Sequence, residues 1–235
     1  MSILIISIAP IIIILLYINY RDKYEKEPFG MLLRALLAGA VITIPIILIE
    51  LGLDRMVQFS GKISNALYDG FVVAAFTEEL FKYLAFMVII WRNRNFNELF
   101  DGIVYAAFIS LGFATIENIL YVFGTGSGTG LIRAFTAVPA HALFGITMGF
   151  YLGLAKFNPD KTSKYLWFAV LVPIILHGIY DFFLMSEDPI LLLLFLPFVV
   201  FLWIFGFKKM KALSRASVFK DAKPEEIKID LEGEI

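Results

Sequence analysis

The sequence contains no cysteine, few charged residues and only two histidines. Without cysteine the chain cannot form a disulfide framework, a thiolate metal site or a cysteine nucleophile. Charged residues make up 17% of the chain and the formal net charge is −1, so there is no basic field to hold the phosphates of a nucleic acid. We therefore expect no nucleic-acid partner.

Hydrophobic residues, in contrast, make up 60% of the 235 residues, far above the average for soluble proteins. At roughly 20 apolar residues for each crossing of a lipid bilayer, the pattern predicts an all-α, polytopic bundle of about seven transmembrane helices. Their predicted ranges are about 2–20, 31–53, 66–91, 100–123, 131–155, 165–185 and 189–207. The first range lacks the basic region and cleavage site of a signal peptide, so we interpret it as a retained helix.

The loops between these helices differ in basic residues. One set of alternate loops contains only Arg55, Lys62 and Arg133, whereas the other set, with the tail, contains Arg21, Lys23, Lys26, Arg34, Arg92, Arg94, Lys156, Lys161, Lys164, Lys208, Lys209, Lys211, Arg215 and Lys220. Because basic loops stay in the cytoplasm, we expect the N-terminus outside the cell membrane and the C-terminus in the cytoplasm. We divide the chain into a transmembrane domain, 1–207, and a polar cytoplasmic tail, 208–235.

The one low-complexity stretch is the glycine-rich segment 124–130, which this topology places on the outer surface. Its glycines make it flexible. It is either a plain connector or a mobile flap.

Ionisable residues interrupt several of the predicted helices. Such residues are costly in a bilayer and are retained mainly where they pair or line a wet cavity, so by default they mark a functional site. They are Glu78, Glu79 and Lys82 in the third helix, Glu117 beside Asn118 in the fourth, His141 in the fifth, and His177 with Asp181 in the sixth.

The spacing of these residues predicts that they cluster. Glu78 and Lys82 are four residues apart, as are His177 and Asp181, so each pair projects from one helix face. At a rise of 1.5 Å per residue, Glu78, Glu117, His141 and His177 each lie about 10–13 Å below the outer end of their helix. We therefore expect one polar site slightly above the bilayer midplane.

Several chemistries fit such a site. Carboxylates and imidazoles in a site that excludes water are suited to general acid–base activation of water, to a metal site or to a proton relay. The motif H-E-x-x-H of zinc proteases is absent. Lys82 could instead only hold helices together, His141 could be a packing residue, and Asn118 is expected to be an interhelical hydrogen-bonder.

Four motifs resemble those of the PrsW family of intramembrane proteases in order and spacing: Glu78-Glu79-Leu80-Phe81-Lys82, Phe113-Ala114-Thr115-Ile116-Glu117-Asn118, His141-Ala142-Leu143-Phe144-Gly145 and His177-Gly178-Ile179-Tyr180-Asp181. The loop segment 22–28 is also similar to that family's segment after its first helix. The motifs are more distantly similar to those of CAAX prenyl endopeptidases and bacteriocin-immunity proteins.

The resemblance implies a glutamate-dependent protease that makes the first cut in a single-span anti-sigma factor, on the extracytoplasmic side. Glu78 or Glu79 would take a proton from the attacking water, with Glu117 as partner. His177 and Asp181 would polarise the carbonyl or protonate the leaving amine, with His141, Lys82 and Asn118 in support. No cofactor is required, although His141 and His177 could hold zinc or another divalent metal. A transporter or proton relay, or a non-catalytic immunity-type protein, are the alternatives.

Overall fold

The computed structural model describes residues 3–57 and 59–219, and within these ranges it contains helices and no strand. The helices are α1 (Ile3–Arg21), α2 (Phe29–Met56), α3 (Lys62–Tyr68), α4 (Thr77–Ile89), α5 (Leu99–Thr125), α6 (Ser127–Phe135), α7 (Ala137–Phe157), α8 (Thr162–Met185) and α9 (Pro189–Arg215). A π-helical segment, Asp69–Phe76, joins α3 to α4, and a 3₁₀ turn, Pro159–Lys161, precedes α8.

The helices are long enough for the predicted membrane-spanning bundle. Among the described residues, six helical runs are long and apolar enough to cross a bilayer. The remaining predicted crossing, 66–91, corresponds to α3, the π-helical segment and α4, which follow one another without a break. This stretch carries Glu78 and Glu79. The prediction of an all-α transmembrane bundle is therefore confirmed, whereas its orientation in the membrane stays a prediction.

Helix α5 lies at the centre of the bundle and packs against α7, α2 and α1. Glycines allow these close contacts: a Cβ atom added to Gly149 of α7 would overlap the backbone of Gly102 in α5, and one added to Gly112 would overlap that of Leu36 in α2. Small residues at such crossings let helices pack tightly where lipid supplies no hydrophobic drive between them. The buried core therefore forms around α5 and α7.

The glycine-rich segment 124–130 is not the flexible loop that the composition suggests. Helix α5 continues to Thr125, and α6 begins at Ser127. Only Gly126, at φ 94°, breaks the helical path, in a conformation that favours glycine. The structure therefore has a tight turn between two helices at this position and not a seven-residue flap.

The predicted fifth helix, 131–155, is in fact two helices. Helix α6 ends at Phe135 and α7 starts at Ala137. Pro139 explains the break, because a proline ring clashes with the carbonyl group four residues earlier, here that of Phe135. The short α6 carries Arg133 on its last turn.

The last helix extends beyond its predicted end at residue 207, to Arg215. Lys209 is buried, and its ammonium group lies over the rings of Phe150, Tyr151 and Phe205, at 3.7–4.5 Å from their centroids. These contacts hold a basic segment in the helix. The first residues of the predicted tail are thus helical, and residues 220–235 lie outside the described part of the chain.

Candidate functional site

An ammonium group lies at the centre of the candidate site. The Nζ atom of Lys82 is 2.9 Å from Oε2 of Glu78 and 2.7 Å from Oε1 of Glu79, and all three side chains are buried. It also lies 4.4 Å from the centroid of the Phe113 ring. Two adjacent carboxylates repel each other, and the ammonium group between them offsets this repulsion.

His177 bridges this centre to Asp181. Its Nδ1 atom is 2.9 Å from Oε1 of Glu79 and 3.9 Å from Oε2 of Glu78, while its Nε2 atom is 3.1 Å from Oδ2 of Asp181. The imidazole ring stacks on Phe144, with 4.7 Å between centroids and 20° between planes. Carboxylates on both sides and an aromatic face fix the ring orientation.

His141 has the matching arrangement on α7. Its Nε2 atom is 2.8 Å from Oε2 of Glu117, and its Nδ1 atom is 3.4 Å from Nζ of Lys82 and 3.9 Å from Oε2 of Glu78. An ammonium group can only donate a hydrogen bond. The geometry therefore suits a tautomer that carries its proton on Nε2, donates it to Glu117 and accepts at Nδ1.

Arg133 is a site residue that the sequence did not reveal. Its guanidinium Nη2 is 2.9 Å from Oε2 of Glu117, and its Nε donates to Oδ1 of Asn118 at 2.9 Å. Asn118 in turn donates to the carbonyl oxygen of Ser7 at 2.7 Å, so it links α5 to α1 as expected of an interhelical hydrogen-bonder. The positive-inside count treated Arg133 as a charge in an outer loop. Because a buried carboxylate needs a cationic partner, Glu117 could have led us to look for a nearby basic residue such as Arg133.

The structure thus brings together every candidate site residue from the sequence. Asn118 borders the group through Arg133, and the other seven form what we call the polar cluster: Glu78, Glu79, Lys82, Glu117, His141, His177 and Asp181.

A cavity of about 750 Å³ opens onto the polar cluster. Glu78, Glu117, His141, His177 and Asp181 line it, whereas Glu79 and Lys82 lie behind its wall. Glu50 of α2 also lines the cavity, and its Oε1 atom is buried without a hydrogen-bond partner among the described residues. The cavity could hold a length of extended peptide beside Glu78.

Three side chains of the cluster could hold a metal ion. Glu78, His141 and His177 each offer a donor atom, and these atoms lie within 4.8 Å of one another. Both histidines have a carboxylate at Nε2, which is how proteins orient imidazole ligands and raise their basicity. Two imidazoles with one carboxylate also form a donor set that catalytic zinc commonly takes. The residues present therefore fit a divalent metal.

The π-helical segment directly precedes the two glutamates and packs against α8, which carries His177. Gly70 lies against Gly178 and Asp181 of α8, and Gly178 lies against the ring of Phe71. Such π-helical insertions often occur at functional sites. Here the segment leads directly into α4, whose first turn carries Glu78 and Glu79.

Comparison with known proteins gives a consistent result. Residues 27–206 match the family described as "PrsW family intramembrane metalloprotease". Relatives named Protease PrsW include one from Bacillus subtilis, 42% identical over 87% of this chain and 92% of its own length, and one from Clostridioides difficile, 38% identical over 90% and 91%. The protein of that name from Oceanobacillus iheyensis is 38% identical over 93% of this chain and 99% of its own length. No solved structure gives a significant match.

The position of Lys82 leads to a prediction about stability. Replacing it with methionine leaves two buried carboxylates without their cation, which typically costs about 3–5 kcal/mol. We expect Lys82→Met to lower the unfolding temperature of the detergent-solubilised protein strongly, and a second change, Glu79→Gln, to restore part of the loss.

The matched control is Lys62→Met, which breaks an equally short but fully exposed pair, Lys62 with Glu187 at 2.7 Å. Solvent screens that pair, so little change is expected. Equal unfolding temperatures for Lys82→Met and the control would contradict a structural role of the central ammonium group.

Proposed function

The chain belongs to the PrsW family of intramembrane proteases, and from this we propose that it cuts a single-span membrane protein of the anti-sigma-factor type with water activated by Glu78. The observation that carries the proposal is the position of Glu78 on the wall of the cavity, beside His141 and His177. The Nε2 atoms of these histidines already contact carboxylates, those of Glu117 and Asp181. A carboxylate on a cavity wall can contact a substrate in the cavity, whereas a purely structural ion pair would have no contact with it.

The proposed roles follow from which atoms face the cavity. Glu78 takes a proton from water as the water oxygen attacks the scissile carbonyl carbon. His177, held at Nε2 by Asp181, donates from Nδ1 to the carbonyl oxygen in place of Glu79 as negative charge develops there. The proton taken by Glu78 passes to the amide nitrogen as the C–N bond breaks. Glu79 lies behind the wall and fixes Lys82 and His177. We therefore assign the base to Glu78 and a positioning role to Glu79.

The family description favours a metal at this site over the expectation that no cofactor is needed. With an ion bound, Glu78, His141 and His177 would serve as its ligands instead of as base and hydrogen-bond donor, and the ion would lower the pKa of a coordinated water and polarise the scissile carbonyl. Glu117 and Asp181 would keep the two imidazole rings in place through their Nε2 atoms. If Glu78 bound the metal, Lys82 would still have Glu79 as its ion-pair partner.

The proposed substrate and cut side rest on the cavity and the loop charges together. The cavity lining is mainly apolar apart from the cluster, as suits a peptide segment that leaves the bilayer. The positive-inside bias would put this cavity in the outer half of the membrane. The scissile bond would then lie on the extracytoplasmic side of the substrate's span, where a site-one cut starts the release of a sigma factor.

Glutamine variants test the role of the paired glutamates. Glutamine keeps the size of the side chain but cannot accept a proton, and loss of a general base typically lowers the rate about 10²–10⁴-fold. We expect Glu78→Gln to abolish detectable cleavage because the base is lost, and Glu79→Gln to abolish it because Lys82 and His177 lose the carboxylate that positions them. Both variants should remain in the membrane at normal levels. The control is Glu187→Gln, an exposed carboxylate outside the cluster, and cleavage should be unchanged. Full cleavage by both cluster variants would eliminate the glutamate mechanism.

Elemental analysis tests the metal. We expect purified protein to hold about one divalent ion, zinc being the best match to the donor set, and chelation to stop cleavage until zinc is restored. His177→Ala should lose the ion, whereas Glu50→Gln, which changes a different carboxylate of the same cavity, should keep it. Metal-free wild-type protein that cleaves at the same rate in the presence of a chelator would leave Glu78 as a base acting without a metal.

A further inference from the structure

A second group of buried carboxylates lies at the other end of α5. Glu25 and Glu27 belong to the loop between α1 and α2, and Asp101 lies in the first turn of α5. Asp101 is separated from Glu117 by sixteen residues of α5, about 24 Å along the helix axis. This group is therefore remote from the polar cluster, and the proposed mechanism does not use it.

The three carboxylates converge. One oxygen atom from each of Glu25, Glu27 and Asp101 lies within 4.8 Å of the others. Glu27 and Asp101 are buried, with 6% and 0% exposure, and Glu25 is half-buried. Like charges at this separation repel strongly away from water.

No basic side chain neutralises them within the described residues. None of the three has a lysine, arginine or histidine nitrogen within ion-pair distance there. Lys26 is adjacent in sequence, but its ammonium group donates to the backbone carbonyls of Asn19 and Asp22. The group therefore lacks a counter-ion from this part of the protein.

Each carboxylate has one oxygen fixed and the other free. Oε1 of Glu25 accepts from the Asn97 side chain at 3.0 Å, Oε2 of Glu27 accepts from the hydroxyl of Tyr105, and Oδ2 of Asp101 accepts from the backbone N–H groups of Asn97 and Glu98 at 2.9 and 2.7 Å. The remaining oxygens, Glu25 Oε2, Glu27 Oε1 and Asp101 Oδ1, are buried without a hydrogen-bond partner in the described structure. Donors that hold one oxygen and leave the other free are typical of orienting contacts around metal-binding carboxylates.

We propose that Glu25, Glu27 and Asp101 bind a hard divalent cation, Ca²⁺ or Mg²⁺, that joins the loop between α1 and α2 to the start of α5. Oxygen-only donor sets select these ions over zinc, which favours nitrogen and sulfur ligands. A shared proton is the competing explanation, since Glu27 and Asp101 are close enough for one to donate to the other when protonated. A single proton leaves the group with a net charge of −2, whereas a divalent cation leaves −1 and can contact all three carboxylates.

The test is thermal unfolding of the full-length protein in detergent after treatment with a chelator. Addition of millimolar CaCl₂ or MgCl₂ alone should raise the unfolding temperature by roughly 5 °C at saturation, because the ion binds only the folded state. The ion that raises the unfolding temperature at the lower concentration is the one that the site binds more tightly. Glu27→Gln should abolish the shift, and Glu78→Gln should keep it, since that variant alters only the remote polar cluster.

Glu98→Gln is the matched control, because Glu98 is a buried carboxylate at the same end of α5 that lies outside the convergent set and accepts from Ser217. It should retain the full shift. Equilibrium dialysis with ⁴⁵Ca²⁺ measures binding directly if Glu27→Gln unfolds too readily for a melting curve, and the Glu25→Gln variant should then also lose the bound ion. Absence of both a shift and bound ion in the wild type, or equal shifts in Glu27→Gln and Glu98→Gln, would overturn the proposal.

Discussion

The rest of the site depends on the paired contacts that the Lys82 ammonium group makes with Glu78 and Glu79. Two adjacent carboxylates cannot both stay charged in a dry interior without a cation, and a buried cation needs both of them. Glu79 then fixes His177, and Glu78 remains at the cavity wall. An oriented carboxylate on the cavity wall is thus a consequence of how the lysine is placed.

The bundle has to deliver this arrangement from four separate helices. Close crossings of α5 with α7 and α2, made possible by glycines such as Gly149 and Gly112, bring Glu117 to His141. The π-helical segment before α4 packs on α8 and brings Glu79 to His177. Each polar contact therefore rests on a backbone approach that a larger side chain would block.

Much of this could be predicted from the sequence, because depth in a membrane helix follows from a fixed rise per residue. The count of residues from the helix ends predicted one level for Glu78, Glu117, His141 and His177, and the i,i+4 spacing predicted the pairs of Lys82 and Asp181. Contacts that depend on helix breaks were missed: the clash at Pro139 separates α6 from α7, and Arg133, on the last turn of α6, contacts Glu117. The aromatic contacts that extend α9 past residue 207 are likewise tertiary and leave no periodic signal.

The central claim is that the polar cluster performs the cleavage at its own depth in the membrane. The most direct measurement is mass spectrometry of the products after the protein, reconstituted in vesicles, cuts a single-span substrate with an extracytoplasmic domain. We expect a new terminus on the extracytoplasmic side of the substrate's span, because the orientation predicted from the loop charges would put Glu78 in the outer half of the bilayer. A new terminus on the cytoplasmic side of that span would contradict it.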